Sequence, residues 1–200
     1  MKTTIFLFLL TFFLCVFNAN AAPSPVLDGF GKNLRAQVEY FMWVDSDGSI
    51  LPAAVGNDSC QAGVVKYPDY GSDQPVIITP VNPKKGVIRL STDFNIRFAF
   101  TGSSICDKSN VWKVEYDKDT KQYAVMIGGV LGNPGPETLD NWFKLEKIEG
   151  GYKLVYCPSV CSSCKVMCKD VGTAIDGNGV MRFVLGGRPF VVSFYKVIDD

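Results

Sequence analysis

The chain has 200 residues, with 20 basic and 20 acidic side chains, no histidine and seven cysteines. Balanced charge gives no reason to expect nucleic acid or an anionic membrane as partner, since both need clustered positive charge, and the missing histidine removes the commonest general base and metal ligand. Ser-His-Asp and Cys-His catalysis are thereby excluded. The acids, scattered beside turn residues or on the polar phase of alternating runs, read as solvated surface, so no enzyme, metal site or cofactor is expected.

In chain order, Lys2 precedes an apolar run from Ile5 to Phe17 that is broken only at Thr11, and small residues follow at Ala19 and Ala21. This is the layout of a secretory signal peptide over residues 1–21. The run is shorter than the roughly 18 apolar residues a spanning helix needs. Export of residues 22–200 as one domain is therefore expected, to the extracellular space or to the vacuole. Lys2 is the only charge lost, leaving one acid in excess.

The remainder reads as strands with hardly any helix. "VEYFMWV", "GVIRLS", "FNIRFAF", "NVWKVEY", "QYAVMIGG", "NWFKLEKI", "GYKLVYC", "VMRFVL" and "FVVSFYKV" are short, rich in Val, Ile, Phe and Tyr, and mostly alternate. Turn chemistry separates them, as in "DSDG", "NPKKG", "GNPGPE" and "DGNG". About a dozen such strands in one domain describe a closed barrel or sandwich with long loops. Phe94-Asn-Ile96-Arg-Phe98 is faintly echoed by Phe190-Val-Val192-Ser-Phe194, each after an arginine-bearing strand around Arg89 or Arg182. Such an echo fits internal pseudosymmetry.

Cys15 leaves with the leader, and six cysteines remain: Cys60, Cys106, Cys157, Cys161, Cys164 and Cys168. An even number in an exported chain points to disulfides. The four in "CPSVCSSCKVMC" could suggest zinc or a redox pair, but export favours oxidation. Sequence alone leaves the connectivity open; the preferred set is Cys60 with Cys106, Cys157 with Cys168, and Cys161 with Cys164. The first would close a long loop containing Pro83, Lys84, Lys85 and Gly86, worth on the order of 4 kcal/mol in a chain-entropy account. Asn57-Asp58-Ser59 is an N-glycosylation acceptor in a polar loop.

At "VLDGFGKNLRAQVEYFM" an aliphatic Val26 is followed by Asp28, Gly31, Leu34, Tyr40 and Met42. This resembles the N-terminal signature of the plant Kunitz-type inhibitors, the soybean trypsin inhibitor family. The likeness continues through "STDFNIRF", "VWKVEY", "IGGVLGNPGPETLDNWFKLEK" and "YKLVYCPSVCSSCKVMCKDVG", which look most like the miraculin-like branch. The resemblance implies an all-β fold, a β-trefoil of twelve strands in three similar units, six forming a short barrel and six capping it. It also implies the disulfide set preferred above.

Family members that inhibit serine proteases present an exposed, nearly rigid loop that enters the protease like a substrate. Counted back from "FNIRF", the family's specificity residue falls at Lys84 and the reactive bond at Lys84-Lys85, with Pro83 holding the chain extended. A trypsin-like pocket takes Lys or Arg. In the trypsin-inhibiting branch an asparagine near the N-terminus supports the loop; Ala36 stands at that position, so Asn82 or another polar group must take its place, or the loop is merely cut. Gly86 adds backbone freedom. The resemblance thus implies a monomeric, secreted inhibitor of trypsin-like proteases, serving defence or control of endogenous proteolysis. The alternatives are inhibition of papain-like cysteine proteases through another loop, and a binding or storage trefoil that inhibits nothing. Trefoil lectins often carry repeated Gln-x-Trp motifs, which are absent here, and Trp43, Trp112 and Trp142 read as core or barrel residues instead of a ligand platform.

Overall fold

A computed structural model describes residues 22–45, 48–56, 58–67, 74–100 and 107–198. The proposed leader, Asn57 and Cys106 lie outside the described residues. The strands in chain order are β1 (Glu39–Val44), β2 (Ser49–Val55), β3 (Asp58–Tyr67), β4 (Val76–Pro80), β5 (Phe94–Phe98), β6 (Trp112–Asp117), β7 (Gln122–Ile127), β8 (Lys144–Ile148), β9 (Gly151–Tyr156), β10 (Lys169–Ile175), β11 (Met181–Leu185), β12 (Arg188–Pro189) and β13 (Val192–Lys196). A 3₁₀ segment over Pro136–Asn141 precedes β8.

Six of these strands close into a ring. β1 pairs with β13 and with β4, β4 with β5, β8 with β9, and β9 with β13. The last gap, between β5 and β8, is closed by the Phe94 to Phe143 bridge, whose two N–H groups donate to each other's carbonyls at 3.0 and 2.9 Å. The hairpins β2/β3, β6/β7 and β10/β11 pair with one another through Gly63 with Met126, Val184 with Ala124, and Arg182 with Val65, and so cap one end. Each third of the chain supplies a barrel strand, a cap hairpin and a second barrel strand, which is the trefoil; the short β12, paired with β10, is additional.

The alternation seen in the sequence sorts side chains as expected. Tyr40, Met42 and Val44 of β1 and Phe94, Ile96 and Phe98 of β5 face the main core, where their apolar area leaves water. Val55, Val65, Ala124, Met126 and Val184 form a smaller core within the cap. The echo between residues 94–98 and 190–194 is not the threefold repeat. β5 opens the second unit and β13 closes the third; they share only the inward phase of a barrel strand, Phe94, Ile96 and Phe98 against Phe190, Val192 and Phe194.

Two further expectations need correction. "GVIRLS" is no strand: Val87 and Arg89 make only isolated bridges, to Arg35 and Pro25. Asp93, Asp117 and Asp176 are not solvated, because each spends its carboxylate on backbone N–H groups and a cation. The tryptophans are core or barrel residues as expected: Trp112 and Trp142 are fully buried, and Trp43 stands half-buried on the outer face of barrel strand β1, its ring 4.5 Å from that of Tyr195.

Candidate functional site

The loop joining β4 to β5 leaves the barrel where Val81 N–H donates to the Asp93 carbonyl at 2.8 Å. Residues 81–86 are all exposed. The Lys85 N–H donates to the Asn82 carbonyl at 3.0 Å, and the Lys84 N–H to Asn82 Oδ1 at 3.2 Å. Together they make a β-turn. Pro83 therefore occupies the second position of a turn, where a fixed φ is favourable.

The second half of the loop is held by the N-terminal segment. Ala36 N–H donates to the Gly86 carbonyl at 3.1 Å, Ile88 N–H to the Leu34 carbonyl at 2.9 Å, and Val26 N–H to the Ile88 carbonyl at 2.9 Å. Ile88 is fully buried and anchors the chain four residues past Lys84. The support sought from a side chain at position 36 thus comes from that residue's main chain and from Asn82. Beside the loop lies an open cleft of about 860 Å³, where Gly86, Lys32, Arg35 and Lys196 meet Tyr40.

Asp93 ties this loop to the segment between β9 and β10. Its carboxylate accepts the Ser159 N–H at 3.1 and 3.2 Å and lies 3.7 Å from Lys144 Nζ. Burial raises its pKa above the ordinary 3.8, opposed by Lys144 and the Ser159 hydrogen bond. A carboxyl with a raised native pKa favours folding most when protonated, and that contribution fades as pH rises from 3.8 through the native value. Asp93→Asn cannot ionise, so its Tm relative to the parent protein is expected to climb over that same interval in a pH series. A flat difference would mean that Asp93 titrates normally.

The segment past β9 carries two bridges, Cys157 to Cys168 and Cys161 to Cys164, as preferred from the sequence. Cys60 is disulfide-bonded; its expected partner lies outside the described residues. Nearby, the Tyr156 hydroxyl donates to Asp140 Oδ1 at 3.0 Å, and burial together with that carboxylate pushes the phenol's pKa up. Among the described residues no group of acids and cysteines is arranged to hold a metal.

The structure is thus a disulfide-stapled trefoil that presents a pinned, exposed, lysine-tipped turn. A family model for Kunitz-type trypsin and protease inhibitors matches residues 26–196. Miraculin from Synsepalum dulcificum is 43% identical over 190 residues, covering 90% of this chain and 86% of its own. Kunitz trypsin inhibitor 5 from Arabidopsis thaliana is 34% identical over 207 residues, covering 98% and 99%. Among solved structures, a Kunitz-type cysteine protease inhibitor from potato matches with a TM-score of 0.75 and 33% identity over 90% of this chain and 100% of that one. The chain belongs to the plant Kunitz-type protease inhibitor family, in its miraculin-like branch. It is a family of inhibitors and not of enzymes.

Proposed function

We propose that the exported domain, residues 22–200, inhibits trypsin-like serine proteases, with Lys84 entering the specificity pocket and Lys84-Lys85 as the reactive bond. The observation that carries this reading is a solvent-exposed lysine pair whose flanking backbone is hydrogen-bonded on both sides, to Asn82 before the bond and to Ala36 after it. A loop already held in place loses little entropy on docking. The signal-like residues 1–21 support delivery through the secretory pathway, and Asn57 is proposed to carry a glycan there.

Trypsin titration with intact-mass mapping tests the reading. Tight inhibition with a slow nick after Lys84 is expected, and Lys84→Ala should weaken it about a hundredfold, as truncation of a central anchor does. Undiminished inhibition by Lys84→Ala would remove the assignment. A second reading, inhibition of papain-like proteases through another loop, draws support from the potato relative, itself described as a cysteine protease inhibitor. Papain, included in the same titration, separates the two.

A further inference from the structure

The chain between β7 and the 3₁₀ segment, residues 128–135, carries two adjacent apolar side chains in solvent: Val130 is 50% and Leu131 42% exposed. The backbone beneath this pair is closely braced. Gly128 N–H donates to the Ser109 carbonyl and Gly129 N–H to the Val111 carbonyl, both at 2.9 Å. A Cβ built on Gly129 would lie 2.8 Å from the Trp112 carbonyl oxygen, so the loop sits flush on β6.

Two buried asparagines hold the tip. Asn141 Nδ2 donates to the Val130 carbonyl at 3.3 Å, and the Gly132 N–H donates to Asn95 Oδ1 at 2.7 Å. Asn95 Nδ2 in turn donates to the Asn141 carbonyl at 2.8 Å, joining the two braces. Asn95 is 0% and Asn141 5% exposed. Buried amides must be hydrogen-bonded, and these direct their bonds to the backbone groups on either side of Leu131. Gly132 at φ 75° and Asn133 at φ 53° then turn the chain away, so that Leu131 projects.

We infer that Val130-Leu131-Gly132 is a second protease-binding loop, with Leu131 filling the specificity pocket of an endopeptidase that cuts after large apolar residues. This rests on the chain's place in an inhibitor family but not on Lys84. Attack by the protease nucleophile on the Leu131 carbonyl would break the Leu131-Gly132 bond, the Gly132 nitrogen taking up a proton and leaving as an amine. Tethered to Asn95, that amine stays beside the acyl carbon held through Val130 and Asn141. It re-forms the peptide bond, returning the proton and releasing the nucleophile, so cleavage is slow and binding tight.

Chymotrypsin, whose pocket is a hydrophobic slot, is the probe, titrated with the oxidised protein. Inhibition is expected, and Leu131→Asp should weaken it about a hundredfold with Tm unchanged, because the side chain is exposed. Lys84→Ala should leave it intact. In a Lys84→Ala background, Leu131→Lys should exchange chymotrypsin inhibition for trypsin inhibition, a gain that damage to the fold cannot produce. Failure of the parent protein to inhibit chymotrypsin, or equal inhibition by Leu131→Asp, overturns the inference. Failure of the Lys84 reading shows separately, as trypsin inhibition that Lys84→Ala does not change.

Discussion

Replacing Arg182 by methionine is expected to cost the fold about 3–5 kcal/mol, the usual penalty for breaking a buried ion pair by removing one partner. Arg182 lies on β11 and is completely buried, with Nη2 3.4 Å from Asp117 Oδ2 and Nη1 3.4 Å from Asp176 Oδ2. Asp117 closes the β6/β7 turn by accepting the Thr120 N–H and hydroxyl, and Asp176 closes the β10/β11 turn by accepting the Asn178 and Val180 N–H groups. On the third hairpin, a Cβ at Gly63 would lie 3.0 Å from the guanidinium. One cation therefore meets all three hairpins of the cap. Methionine fills comparable space but leaves two carboxylates buried without a counter-charge. The triple variant with Asp117→Asn and Asp176→Asn keeps acceptors for the turns and removes the charges, so urea unfolding should show it more stable than Arg182→Met alone. If the single change costs under about 1 kcal/mol, the range typical of exposed pairs, the cap carboxylates must be hydrated.

The barrel was legible from the sequence because β1, β5 and β13 each turn one apolar phase inward. The strands that went unread fail that test for physical reasons. β4, VIITP, is buried along its whole length and has no alternation. β2 contains Pro52, and β10 contains Gly172, where a Cβ would come 2.5 Å from the backbone of Gly187; close packing against the β12 turn demands a residue that weakens the strand pattern. "GVIRLS" has strand composition, but its neighbours are the short N-terminal bridges, so composition alone misled.

At the proposed reactive turn, the lysine pair and its turn residues were readable as types, while their support was not. The family resemblance implies a supporting side chain at position 36, whereas the loop is held by the main chain of Ala36 and the side chain of Asn82. The braces under Leu131 leave one signal in the sequence: Asn95 stands between Phe94 and Ile96 in a strand buried on both faces. A polar residue in such a strand is the informative exception, and its partner, Asn141, lies 46 residues away, a separation no local pattern spans.

Trp112→Ala is expected to cost about 3–5 kcal/mol, as truncation of a buried aromatic side chain does. Its ring is 0% exposed and packs at centroid distances of 5.4 Å from Phe98, 6.4 Å from Phe143 and 6.2 Å from Phe183, the last two edge-on. Those partners come from the end of β5, the approach to β8 and the middle of β11, so the indole joins barrel to cap. The loss should appear as a lower urea midpoint with an unchanged m-value. Its effect on the surface should be uneven, because the backbone of residues 111 and 112 is the seat of the Val130-Leu131 loop, whereas the lysine turn rests on the N-terminal segment. In the native state of Trp112→Ala, hydrogen exchange at the Gly129 and Gly132 amides should quicken more than at Ile88, whose N–H is bonded to Leu34. Equal quickening at all three would mean that the two loops share one cooperative unit, and that the scaffold holds them as a single body.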